Sequence, residues 1–213
     1  MKISEHIIKI NIPDRLEKIA VIPLLLYRRL RYGYAFRRIP LTQGKYAIVD
    51  NDDYFRLNKY KWHTSRGRST FYAVRDIRTG KNKQKEIIMH REIMKTDDEF
   101  YVDHINGNGL DNRKANLRAA TALQNSWNCR KTRRKKSSKY KGVSWLKRQK
   151  IWQSRIQANG KMIFLGNFKD EKKAAEVYDQ AAQKHHKEFA VLNSAMKTSI
   201  LRPLRATEDG QRH

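Results

Sequence analysis

The chain reads as an α+β protein, and three observations carry that reading. From residue 40 onward, short apolar runs recur at strand length and are separated by turn residues. Two hairpin turn signals, TGKN at 79–82 and NG at 159–160, each lie between such runs, so the strands pair antiparallel. Helical spacing is sustained in one long stretch, about 170–187, where Ala174, Ala175, Tyr178, Ala181, Ala182 and His185 recur on one face.

In chain order, residues 1–38 form a basic N-terminal arm holding the cluster YRRLRYG at 27–33. KYAIVD (45–50) is a predicted strand, and DDYFRLNKY (52–60) a short helix begun by Asp52. FYAVRDIR (71–78) and KEIIMH (85–90) are the two arms of a hairpin. FYVDHI (100–105) is a further strand, with Asn116 following in a short extended piece and Asn125 in a helical run. A basic linker over 130–138 separates this central unit, 39–129, from a C-terminal unit, 139–195. The interval 130–150 carries 11 Lys or Arg and no acid, which suits a linker that also touches a phosphate backbone. In the C-terminal unit three strands (140–146, 151–157, 161–165) precede the long helix, and its alanines let that helix lie close on the sheet. The tail, 196–213, shows no pattern.

Charge narrows the function. The 213 residues hold 47 Lys or Arg against 21 Asp or Glu, a formal net charge of +26. A small-molecule enzyme has no use for such an excess. A polyanion does, since each cation that neutralises a phosphate releases counterions. The partner expected is double-stranded DNA, with no obligate protein partner. The longest apolar run, IAVIPLLL at 19–26, has 8 residues and includes Pro23, short of the roughly 20 a membrane span needs. No secretory pattern opens the chain. The single Cys129 excludes internal disulfides and four-cysteine zinc sites. The expected compartment is intracellular, with no membrane association.

The segment VDHINGNGLDNRKANLRAATALQNSWN (102–128) turns a binder into an expected cutter. Phosphodiester hydrolysis needs an activated water, charge relief on the phosphate, and help for the leaving 3′ oxygen. One divalent ion supplies the last two. Mg²⁺ or Mn²⁺ prefers oxygen ligands, for which Asp103 and the amide of Asn125 are suited. His104 is the expected general base. Asn116 is expected to accept a hydrogen bond from its other ring nitrogen and fix the tautomer. Asn106, Asn108 and Asn112 are read as loop formers, and His90 as structural or close to phosphate. His63, His185 and His186 are read as bland.

These residues resemble the HNH homing endonucleases of the ββα-metal group, in the phage-type branch whose last motif position is asparagine. AspHis is followed by Asn after eleven residues and by a second Asn after eight more. IPLTQGKYAIVD (39–50) and IMHREIM (88–94) extend the likeness over roughly 39–130. The resemblance implies Asp103 and Asn125 on the metal, His104 as base and Asn116 as its orienter. It also implies a free-standing homing or mobile-element nuclease of a bacterial or phage-infected cell.

YKGVSW (140–145), WQSRI (152–156), IFLGNF (163–168), AAEVYDQAA (174–182) and FAVLN (189–193) resemble the plant Apetala and ethylene-response-factor DNA-binding domain. That implies a three-stranded antiparallel sheet on one helix, with the sheet in the major groove. Alternation sets Trp152, Ser154 and Ile156 on one face of the second strand and Gln153, Arg155 and Gln157 on the other. In the third strand Ile163 and Leu165 face the helix, leaving Met162 and Phe164 toward the groove. Lys141, Lys147, Arg148, Lys150 and Lys161 are assigned to phosphates. Ser144 and Gln157 stand where the plant family often has arginines, so the plant target sequence is not carried over. Trp145 and Trp152 are read as core. The alternative is a regulator that binds DNA with a decayed nuclease unit. An intact set of four site residues argues against it, and an RNA-binding reading lacks exposed stacking platforms on a recognisable RNA module.

Overall fold

The computed structural model describes residues 14–81, 83–129 and 137–194. Residues 1–13 of the arm, the linker segment 130–136 and the tail from 195 lie outside the described residues. Four antiparallel sheets and six α-helices make up the described chain, an α+β architecture as predicted.

The described part of the arm holds two helices, α1 (Asp14–Ala20) and α2 (Ile22–Tyr32), the latter with proline in its first turn and Gly33 at φ 81° closing it. Arg37, just beyond, bonds Glu17 at 2.6 Å and ties the arm to the central unit. There β1 (Arg37–Pro40) pairs with β2 (Tyr46–Val49). Helix α3 (Asn51–Asn58) is preceded by Asp50, not begun by Asp52, and the Asp50 carboxylate accepts from the Lys114 amide at 2.8 Å. β3 (His63–Arg66), β4 (Phe71–Gly80) and β5 (Lys83–Ile88) form one sheet in that order. The predicted second hairpin arm stops at Ile88, so His90 lies in α4 (Met89–Met94) and not on a strand.

β6 (Tyr101–His104) pairs with β7 (Leu117–Ala120), setting Asp103 opposite Arg118 and His104 opposite Leu117. A single 3-10 turn, Lys114–Asn116, precedes β7, so Asn116 is in that turn and not in the extended piece. Helix α5 (Ala122–Asn128) follows at once. Thr121 and Gln124 start it with a reciprocal capping box, each side chain accepting from the other's amide. Ile39, Val49, Leu57, Trp62, Ala73, Met89, Val102, Leu110 and Leu117 are buried together, so both small sheets, β4, α3 and α4 share one core.

In the C-terminal unit β8 (Val143–Leu146), β9 (Ile151–Ala158) and β10 (Lys161–Phe168) pair as β10–β9–β8 under α6 (Glu171–His186). Asn159 and Gly160, at φ 51° and 73°, make the predicted two-residue turn. Ala174, Ala175, Tyr178 and Ala182 bury against Val143 and Ile156. Ala181 is half-buried, and His186 takes the deep position that the stripe had given to His185. Asp179 accepts from the amides of Asn193 and Ser194, and Asn193 in turn accepts from the Lys141 amide at 2.7 Å. The last described residues are thereby stitched to the turn that leads into the unit's first strand.

Candidate nuclease site and basic face

Asp103 and His104 end β6 and are both buried, at 5% and 6% exposure. Burial is unusual for a carboxylate and is tolerated because both oxygens are bonded. Oδ2 accepts from Arg118 Nε at 2.8 Å and lies 2.8 Å from Nη2. Oδ1 accepts from Asn128 Nδ2 at 2.8 Å, and the same amide donates to the His104 carbonyl. The helix residue that meets Asp103 is therefore Asn128. Asn125 lies one turn earlier on α5, half-buried, and i,i+3 spacing puts it on the same side of the helix.

The His104 ring meets Asn112, whose Oδ1 is 3.4 Å from Nε2, at the long end for a hydrogen bond. Asn116 is not its partner, which corrects the expected orienting contact. Asn116 Oδ1 accepts from the Asn106 amide at 3.0 Å, and its Nδ2 donates to the Asp111 carbonyl at 2.7 Å and to Asn106 Oδ1 at 3.1 Å. The amide is spent folding the 105–113 loop. That loop is pinned to β2 by Ile48, which donates to the Leu110 carbonyl and accepts from the Asn112 amide at 2.7 Å. Asn112, read as a loop former, is thus the side chain the fold delivers to His104.

Burial lowers the His104 pKa, opposed by the Asn112 bond and by Asp103 and Asp111. The ring is neutral at neutral pH, the form a base requires. Its neighbours are His90, edge-on at 4.9 Å between centroids, and Tyr72 at 5.9 Å. His90 is buried, its Nδ1 has no partner among the described residues, and desolvation pushes its pKa down to about 3. A histidine depressed in the folded state stabilises fully above its unfolded pKa, near 6.5. That stability is lost as pH falls from there toward about 3. The urea midpoint of the parent should accordingly fall between pH 7 and pH 4, and His90→Gln should fall less. Parallel declines in the two proteins would refute this account.

The Asp103 carboxylate and the Asn125 amide oxygen are hard donors of the kind a small divalent ion takes, while Asn128 turns its NH2 toward Asp103. Arg118 sits on Asp103 Oδ2, so an ion at that oxygen shares it with, or displaces, a guanidinium. Among the described residues the three-member His, Asp and Glu grouping is elsewhere, His63, Asp76 and Glu86 on the β3–β5 sheet, with both acids exposed.

On the C-terminal unit Lys147, Arg148, Lys150, Arg155, Gln157, Lys161, Met162 and Phe164 are exposed, and Ser144 is half-exposed. Met162 and Phe164 are 62% and 56% exposed, while Ile163 and Leu165 pack toward α6. Two residues differ from expectation. Gln153 is buried. The Lys141 Nζ donates to the Trp127 carbonyl at 2.5 Å, so this lysine, its pKa lowered by desolvation, is engaged with α5. Trp145 and Trp152 are half-buried and face one another across β8 and β9 at 4.8 Å.

A strand pair ending in AspHis and followed directly by a helix that reaches back to the aspartate defines a ββα nuclease module. The chain belongs to the HNH endonucleases. The HNH endonuclease family matches residues 95–127. An uncharacterised HNH endonuclease of Acanthamoeba polyphaga mimivirus is 33% identical over 152 residues, 71% of this chain and 76% of the relative. Protein 3.8 of Escherichia phage T7 is 44% identical over 62 residues, 29% of this chain and 50% of that protein. An AP2-like ethylene-responsive transcription factor of Arabidopsis thaliana is 45% identical over 51 residues, 24% of this chain and 10% of the plant protein. No solved structure matches the chain. No helix among the described residues is long and apolar enough to cross a membrane.

Proposed function

We propose that the chain is a site-directed DNA endonuclease of a homing or mobile-element type, cutting phosphodiester bonds with one divalent ion, Mg²⁺ or Mn²⁺. The observation that carries this reading is the buried Asp103–His104 pair at a strand end, with α5 set against it. Asp103 and Asn125 would hold the ion, with the Asn128 NH2 fixing the Asp103 carboxylate from the same helix. The bound ion supplies charge relief to the scissile phosphate and the leaving oxygen. His104 takes the proton from water through Nδ1. Asn112 accepts from Nε2–H and so keeps the lone pair on the working nitrogen. Asn116 acts at one remove, by shaping the loop that carries Asn112.

The C-terminal unit, 139–195, is the DNA-holding part, with the nuclease unit at 39–129 and the basic linker at 130–138 between them. Arg155, Gln157, Met162 and Phe164 present the sheet face away from α6, and Lys147, Arg148, Lys150 and Lys161 flank it with charge. This arrangement suits a β-sheet set in a major groove, with phosphate contacts positioning it. Changing Lys147, Arg148, Lys150, Arg155 and Lys161 together to glutamine should weaken binding. The slope of log K against log salt should shrink by roughly 0.9 for each phosphate that is no longer neutralised. Fluorescence anisotropy at several KCl concentrations measures it, and an unchanged slope removes the assignment.

Supercoiled plasmid and genomic DNA with Mg²⁺ or Mn²⁺ test the whole reading. The expected result is metal-dependent relaxation or linearisation that EDTA abolishes. Binding without cutting on both substrates would return the chain to the regulator class.

A further inference from the structure

One side chain joins the candidate site to the C-terminal unit. Arg118 puts Nε and Nη2 on Asp103 Oδ2, each at 2.8 Å. Its remaining Nη1 donates to the Glu188 carbonyl at 2.6 Å, and its guanidinium carbon lies 3.8 Å from the Phe189 ring centroid. Glu188 and Phe189 belong to the 3-10 turn (Lys187–Phe189) that ends α6, and Phe189 is buried. Two other contacts hold the C-terminal unit beside α5. The Trp127 indole stacks on His186 at 4.4 Å and 13°, and Lys141 holds the Trp127 carbonyl. Register alone would bring Arg118 opposite Asp103. The third guanidinium nitrogen and the flat face are what the C-terminal unit uses.

We propose that Arg118 is a positioning residue that couples the availability of Asp103 for a divalent ion to the seating of the C-terminal unit. The inference rests on reading Asp103 as a metal ligand. While Phe189 and the Glu188 carbonyl hold the guanidinium, a fixed positive charge occupies the carboxylate oxygen a divalent ion would share. Like charges at that separation repel even when solvent screens them. Arg118 is therefore a tethered competitor, released when the 187–189 turn moves. Linkage makes the effect reciprocal: whatever unseats the turn tightens ion binding, and the ion loosens the turn by the same factor. Binding of DNA by the C-terminal unit is the natural event to shift that balance, so the site would be fully open to its ion only with DNA held.

The test is Mn²⁺ affinity without DNA, read from the electron paramagnetic resonance signal of free Mn²⁺, on the full chain. The variants are Arg118→Met, Phe189→Leu and Asp103→Asn. Phe189→Leu keeps an apolar side chain in the buried position and removes only the flat ring. Arg118→Met and Phe189→Leu should both tighten Mn²⁺ by about five-fold or more, the lower range of ordinary coupling between sites. Asp103→Asn should lose most binding. As a second readout, amide exchange at 186–190 in the parent should speed up on saturation with Mg²⁺, and should not in Asp103→Asn. If Phe189→Leu binds Mn²⁺ as the parent does while Asp103→Asn has lost it, the coupling is wrong and the ligand assignment stands. If Asp103→Asn binds like the parent, or if neither the parent nor Arg118→Met binds Mn²⁺, both are wrong.

Discussion

Replacing His104 with alanine is expected to lower DNA cleavage by about 10² to 10⁴, the usual span for a positioned general base, with DNA binding unchanged. The split follows from where the charge and the chemistry are. His104 is buried at the end of β6, and its ring contacts are Asn112, His90 and Tyr72, none of them in the C-terminal unit. The exposed cations that would meet phosphates are far along the chain, on and around β9. Removing a buried ring also leaves a cavity, so His104→Gln belongs beside the alanine variant. Glutamine fills much of the space and can still meet Asn112, but it cannot take a proton. Both variants should relax supercoiled plasmid at the same depressed rate, with circular dichroism like the parent. Cutting by His104→Gln at the parent's rate would exclude the histidine as base. Loss of binding in both would mean that the ring is structural.

The most legible parts of this molecule were those governed by local rules. The NG turn needs two positive φ values and has them at Asn159 and Gly160, and the alanine stripe of α6 could be read from spacing alone. β3 was not visible, since HTSR has no apolar alternation and pairs only because β4 offers an edge. The final turn of the predicted hairpin arm became α4 because Met89 and Ile93, four apart, both enter the central core. At the site, Asp103 and His104 are adjacent in the chain and needed no tertiary knowledge to be paired. Asn128 was within reach of the same logic, being one turn beyond Asn125. Arg118 required the β6–β7 register. Asn112 obeyed no spacing rule at all: Ile48 backbone bonds, from a strand more than fifty residues upstream, fix where that loop passes. Asn116 was given the role of Asn112 because sequence distance cannot reveal that its amide is consumed by Asn106 and Asp111.

Gly142→Ala should undo the C-terminal unit while leaving the central one folded. Gly142 has φ +74°, a region that costs an L-residue roughly 1–2 kcal/mol. A methyl group there would overlap the Tyr178 ring and stand 2.7 Å from the Arg155 carbonyl. The ring cannot swing away, because Tyr178 is buried with Ile156 and Ala182 under α6. The carbonyl cannot retreat either, since it belongs to the central strand of the sheet. Overpacking of this kind typically costs about 1–3 kcal/mol, so strain and clash together approach roughly 2–5 kcal/mol. A unit of some 55 residues has little more stability than that to lose. Trp145 and Trp152 face one another on its sheet, so tryptophan fluorescence reports on its unfolding. The expected result is a large fall in that midpoint, a matching loss of DNA affinity, and unchanged amide protection along β2, β4 and α3 of the central core. A midpoint equal to the parent's would mean that the sheet and α6 can part by enough to admit a methyl group. The close packing that the alanines of α6 provide would then not be what holds the unit together.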